Sequence, residues 1–173
     1  MLLLKSLMQE RYDIAVRCIR VLYKKDRAIQ LHREAEVLFL FKKKEAFQCY
    51  YQAARLYEKE GNVRAAQGLY QQIIATKGFH APSSIALLIL LKQEEELFFR
   101  HIDFLAREHT EKRLSSDEFV SMCTMLFHRR DEEESGVTCD MLIAYLAQHK
   151  PYCSRLLRST RGSKKELKLN TEL

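Results

Sequence analysis

Tryptophan is absent, and the 173 residues contain only five glycines and two prolines. So few turn-formers exclude a chain of many short strands, and no Val/Ile/Thr alternation bounded by hairpin turns is found to argue for a sheet. Glu, Lys, Leu, Ala, Arg and Gln dominate, all good helix formers, so an all-α class follows. Long apolar runs are missing as well. The longest, Ile85 to Leu91, is far short of the roughly 20 residues that a membrane-spanning helix needs. The opening MLLLKSLMQERYD becomes charged too soon for a secretory signal. The five cysteines, Cys18, Cys49, Cys123, Cys139 and Cys153, are odd in number, widely spaced and without a C-x-x-C pair, which argues against a disulfide framework. Free buried thiols in a reducing compartment are expected, hence a soluble intracellular protein, cytoplasmic or nuclear.

What is present can bury one core. The chain is 47% hydrophobic and 30% charged, which predicts a single compact or quasi-linear helical domain over residues 1–150. The net charge is +6, but it is unevenly spread. From Pro151 onward Arg155, Arg158, Arg161, Lys164, Lys165 and Lys168 face only Glu166 and Glu172, so this segment holds +4 of the +6 and the rest of the chain is nearly balanced. Residues 151–173 are expected to be a basic, flexible tail, rich in Ser, Thr, Gly, Lys and Asn from Ser159.

Catalytic signatures are lacking. There is no glycine-rich phosphate loop, no G-x-S-x-G and no H-E-x-x-H. The nearest Cys/His pairs, Cys123 with His128 and His149 with Cys153, have no second pair at zinc spacing. His32 lies on an apolar stripe without convergent partners and is read as a boundary or hydrogen-bonded core histidine. The acidic run Asp131 to Glu134 is read as a solvated loop rather than a cation site. No enzyme, cofactor, metal or small-molecule substrate is expected.

Periodicity organises the first half. Tyr12, Ala15, Val16, Ile19 and Leu22 form one stripe at helical spacing, and Ala28, Leu31, Ala35, Leu38 and Phe39 form a second that runs into Lys42 to Lys44. Those lysines would lie on the buried seam of a continuous helix, so a break or solvated shoulder is placed there. A third helix, Ala46 to Glu60, carries Phe47, Tyr50, Ala54 and Tyr57, and Gly61-Asn62 ends it. A fourth, Val63 to Lys77, carries Ala66, Leu69, Tyr70 and Ile73 and stops at Gly78. Two amphipathic helices joined so closely fold back as an antiparallel hairpin, in which Ala54 and Ala66 leave room for Tyr50, Tyr57 and Tyr70.

The order Tyr50, Ala54, Tyr57, Gly61, Ala66, Tyr70 resembles the tetratricopeptide repeat. Ile73 stands where the family has a second-helix alanine, and Gly78 where it has a closing proline. One divergent repeat therefore covers residues 46–78. Shifting back by 35 positions lands on Ala15, Cys18, Ile19, Leu22, Leu31, Ala35 and Leu38, all apolar, which marks residues 12–42 as a degenerate copy with its turn at Asp26. Shifting forward reaches charged residues, so residues 82–150 are read as less regular helices. In that half, Ser115 to Glu118 forms a capping box, followed by Phe119, Val120, Cys123, Leu126 and Phe127, and Met141, Leu142, Tyr145 and Leu146 mark a last helix stopped before Pro151. The resemblance implies antiparallel hairpins stacked as an α-solenoid. Because such stacks need polar end caps, Leu2, Leu3, Leu4, Leu7 and Met8 are expected either to dock on something outside the chain, as in a piece or short form of a longer solenoid, or to pack back onto the domain.

The resemblance also implies that exposed positions on the first helix of the repeat touch a ligand: Gln48, Tyr51, Arg55 and Glu58. The family's lysine and asparagine clamp for C-terminal carboxylates is missing, since Tyr51 and Arg55 occupy two of its positions. Two functions fit these features. One is a non-catalytic interaction scaffold that binds a peptide or neighbouring subunit through this row. The other is a nucleic-acid-associated protein whose tail, with Arg155, Arg158, Arg161, Lys164 and Lys165, holds phosphates.

Overall fold

A computed structural model of the chain describes residues 11–126 and 136–158. Among these residues all regular structure is helical. The helices are α1 (Tyr12–Leu22), α2 (Arg27–Leu40), α3 (Glu45–Lys59), α4 (Val63–Lys77), α5 (Ala81–Leu91), α6 (Glu95–Thr110), α7 (Ser116–Met125) and α8 (Cys139–His149), followed by α9 at residues 151–158. No helix among the described residues is long and apolar enough to cross a membrane. The chain divides into two compact units, residues 1–83 and 84–173, with the boundary in the first turn of α5. That boundary falls within the stretch read from sequence as one domain, close to where the repeat register is lost.

In the first unit consecutive helices pack against each other, α1 on α2, α2 on α3 and α3 on α4. The hairpin core follows the expected small–large code: Ala54 and Ala66 are fully buried, with Tyr50, Tyr57 and Tyr70 buried beside them. The Tyr50 hydroxyl accepts from Gln72 Nε2 at 3.1 Å, which lets an aromatic ring be buried without stranding its polar end. α1 and α2 form a smaller core of Ala15, Val16, Ile19 and Val37. Tyr12 and Leu22, expected on the buried stripe of α1, are exposed instead. The seam between α1 and α2 is narrower than a full helical stripe, so residues at both ends of α1 fall outside it. The Tyr12 ring is covered in another way, by Phe41 at 5.9 Å and by Lys43 Nζ at 4.4 Å.

Helix ends explain the register. Asp26 caps α2 by accepting from Ile29 N–H at 2.9 Å, and Asn62 caps α4 by accepting from Ala65 N–H at 3.3 Å. α2 ends at the expected break: Lys42 has φ 53°, with Lys42 N–H donating to Phe39 O at 2.9 Å and Lys43 N–H to Leu38 O at 2.8 Å. Gly61, with φ 75°, ends α3 by the same pair of bonds, Gly61 N–H to Glu58 O at 3.1 Å and Asn62 N–H to Tyr57 O at 2.8 Å. Both are left-handed Schellman ends, one built on lysine and one on glycine.

A buried polar tie links α1 to α2. Arg20 donates from Nε and a terminal nitrogen to both carboxylate oxygens of Glu34, at 3.1 and 3.0 Å, and Gln30 Nε2 donates to the same carboxylate at 2.6 Å. Glu34 is only 2% exposed, and this fork is what makes its burial tolerable.

In the second unit α5 is apolar on nearly all sides, and Leu87, Leu88 and Leu91 are fully buried. The stretch KQEEE, which the sequence leaves open as a solvated face or a break within a segment from Pro82 to about His109, contains the break: α5 ends at Leu91 and Glu94 is the N-cap residue of α6. The capping box forms as expected: Glu118 N–H donates to Ser115 Oγ at 3.2 Å and Ser115 N–H to Glu118 Oε2 at 3.0 Å. These bonds favour the ionised carboxyl of Glu118 and hold it below its usual range. Phe119, Cys123 and Leu126 are buried. Phe127, His128 and the acidic run Asp131 to Glu134 lie outside the described residues, as do the N-terminal leucines. α8 ends at Lys150 as anticipated, yet Pro151 then opens α9, a favoured first position because the missing N–H has no helical partner there. The segment expected to be tail thus begins as a helix that buries Cys153, Ser154 and Leu157.

The five cysteines are free. Only Cys123 and Cys153 are buried, the other three being half-buried, so the expectation of five buried thiols holds for two. Burial pushes the Cys123 thiol up to about 12, which makes it inert.

Candidate functional site

The expected row lies on α3. Gln48 and Arg55 are exposed, and Tyr51 and Glu58 are half-buried. Spacings of three and four residues place all four on one helix face. Arg55 donates to both carboxylate oxygens of Glu58 at 3.3 Å. Glu58 is held from the other side by the Tyr70 hydroxyl of α4, which donates to its Oε2 at 3.0 Å. The Tyr51 ring lies 5.9 Å from Tyr70 and 6.0 Å, edge on, from His80. His80 in turn meets Ser83 Oγ, which is buried, at 2.8 Å through Nδ1.

Tyr51, Arg55 and Glu58 are therefore one cluster, oriented by Tyr70 and His80, while Gln48 lies one turn before Tyr51 on the same face. Tyr51 was expected to stand outside the core stripe as an exposed aromatic. It is half-buried because α4 and the segment before α5 pack rings against it. Tyr70 belongs to core and site at once: its ring is fully buried, and its hydroxyl holds Glu58.

The electrostatics follow. Burial, then the negative charge and hydrogen bond of Glu58, raise the Tyr70 hydroxyl far above its ordinary value, so it stays a donor. The Glu58 carboxylate raises the Arg55 guanidinium further still. Burial, then Lys77, lower His80, so at neutral pH it contributes an uncharged ring. The cluster presents an aromatic, a fixed guanidinium and a carboxylate, a set that suits recognition of a polar peptide.

His80 and Ser83 were missed. The stretch HAPSS signals only a helix start, and nothing in its spacing indicates that the chain returns to α3. His32 is half-buried between Tyr50 and Tyr57, at ring distances of 6.2 and 6.0 Å, with Nδ1 3.4 Å from the Tyr57 hydroxyl. It is the hydrogen-bonded boundary histidine that the apolar stripe suggests. No group of three or more metal-ligating side chains is placed to hold a metal ion among the described residues. Of the basic tail residues, Arg155 and Arg158 are exposed on α9. Arg161, Lys164 and Lys165 lie outside the described residues.

No family model, no curated protein and no solved structure gives a match to the chain.

Proposed function

We propose that the chain is a non-catalytic interaction scaffold, a tetratricopeptide-repeat-like solenoid segment that works inside the cell and takes a peptide or a neighbouring subunit along the outer row of α3. One observation carries this reading: Tyr51, Arg55 and Glu58 form a connected cluster whose geometry is set by Tyr70 and His80 before any partner arrives. A side chain that is already ordered loses less entropy on binding, so a fixed aromatic and guanidinium on one face are efficient anchors. The hairpin pattern of Tyr50, Ala54, Tyr57, Gly61, Ala66 and Tyr70 supports the repeat-like assignment.

The test is affinity capture from nuclease-treated cell extract with mass spectrometry. It compares the wild type, Tyr51→Ala/Arg55→Glu, and a chain ending at Ser159. A partner set that survives truncation but is lost from the double variant, at unchanged helicity, supports the scaffold. Capture that is unchanged in the double variant overturns the assignment to α3. Binding that vanishes on truncation and falls steeply with salt would give the function to the basic tail and to nucleic acid.

A further inference from the structure

α1 ends in two apolar side chains that the first unit leaves uncovered: Val21 is 77% exposed and Leu22 65%. Val21 stands on the side of α1 away from the buried Ala15, Val16 and Ile19, and Leu22 lies past the end of that seam. Scattered exposed apolar residues are ordinary on a protein surface. What sets this pair apart is the charge around it.

Residues 1–83 hold fifteen lysines and arginines against eight acids, whereas residues 84–150 hold eight against thirteen. Positive charge is densest beside the apolar pair. From Arg17 to Arg27 five cations, Arg17, Arg20, Lys24, Lys25 and Arg27, stand against Asp26 alone. Arg20 is committed to Glu34, and Asp26 to the cap of α2. Arg17, Lys24, Lys25 and Arg27 are exposed, and none of the four forms an ion pair among the described residues. Like charges gathered at one corner repel each other, and an anionic surface offsets that repulsion.

The combination narrows what such a surface is. Nucleic-acid phosphates would meet the cations and leave Val21 and Leu22 in water. A peptide would need a hollow to fill, and this pair projects outward rather than lining one. An anionic bilayer answers both features: apolar side chains enter the boundary between headgroups and acyl chains, and cations stay among the headgroups. The placement fits. Arg17 stands one helical turn before Val21, Lys24 and Lys25 follow in the turn after α1, and long cationic side chains bury their stems beside apolar groups while their charged ends remain in the polar layer.

We propose that the corner between α1 and α2 docks on an anionic membrane surface, with Val21 and Leu22 inserted and Arg17, Lys24, Lys25 and Arg27 against the headgroups. This is contact with one leaflet and calls for no spanning helix. It uses none of the residues of the α3 row, so it does not depend on that assignment.

The experiment is co-sedimentation of the full chain with vesicles of about three parts phosphatidylcholine to one part phosphatidylserine, and with vesicles of phosphatidylcholine alone. Binding to the serine-lipid vesicles and about tenfold weaker binding to the neutral ones are expected. Val21→Ser/Leu22→Ser and Lys24→Gln/Lys25→Gln should each lower the bound fraction about threefold at unchanged helicity, and a chain ending at Ser159 should bind as the full chain does. All four substituted residues are exposed, and either folded variant carries the test if the other fails to fold. No binding to the serine-lipid vesicles, equal binding to both kinds, or wild-type binding in a folded variant overturns the proposal. Loss in Lys24→Gln/Lys25→Gln alone, with a single-stranded oligonucleotide competing, would make the corner a nucleic-acid contact and overturn the assignment to a bilayer. Loss on truncation at Ser159 would give the vesicle contact to the basic tail and overturn it as well.

Discussion

At two helix ends lysine occupies a backbone position that glycine fills without strain. Lys42 and Lys112 have φ of 53° and 59°, and each closes a Schellman turn, Lys112 N–H donating to His109 O at 3.0 Å and Arg113 N–H to Glu108 O at 2.9 Å. A left-handed conformation costs an L-residue with a Cβ about 1 kcal/mol relative to glycine. Lys42→Gly and Lys112→Gly should each stabilise the chain by about 0.5 to 1 kcal/mol in urea denaturation, whereas an unchanged or lower midpoint would contradict the assigned geometry. His101 makes a pH prediction. Burial alone lowers it from 6.5 to about 4, and its Nε2 has no hydrogen-bond partner. The unfolded chain takes up this proton first as pH falls. Stability is therefore fully present above about pH 6.5 and is lost progressively as pH falls toward 4, by up to roughly 3 kcal/mol. Stability measured in urea at pH 7 and pH 4.5 should fall less in His101→Leu than in the wild type by most of that amount.

At the scale of elements, the α1–α2 pair is held by a small apolar core and by the fork from Arg20 to Glu34. Arg20→Met would leave the Glu34 carboxylate buried with only Gln30 as donor. Removing one partner of a fully buried pair costs about 3 to 5 kcal/mol, and because the Arg20 side chain is 59% exposed a loss of about 2 kcal/mol is expected, read from the urea midpoint. Neither Arg20 nor Glu34 is conspicuous in the sequence. Both sit among other charges, and only the turn at Asp26 brings them face to face. The stripes around Ala54 and Ala66 were legible because small and large apolar residues at helical spacing have one good packing solution. Gly61 and the capping box at Ser115 were legible for a similar reason, since their chemistry is local. The lysine-built end of α2 was legible only from the burial that Lys42 to Lys44 could not tolerate, and α9 was hidden because Pro151 marks a helix start as readily as a stop.

For the molecule as a whole, what could be inferred from sequence follows the division into two units. The first unit carries the stretch whose pattern resembles a repeat, so the expectation for one hairpin could be carried to the other. The second has no such stretch, and its main feature, the pairing of Tyr145 with Asp103 across 42 positions, depends on long-range contact that periodicity does not encode. The same limit applies to the candidate site. Gln48, Tyr51, Arg55 and Glu58 were available from helical spacing and the repeat resemblance, but their ordering by Tyr70 and His80 was not. The proposed partner contact lies on this face of α3. It is tested most directly by placing a photo-crosslinking amino acid at Gln48 on that row or, as a control, at Gln71 on α4, both exposed, and irradiating living cells. A discrete crosslinked species from position 48, abolished by Arg55→Glu, and none from position 71 are expected. Crosslinks from 71 alone, or from 48 regardless of Arg55→Glu, would contradict this contact.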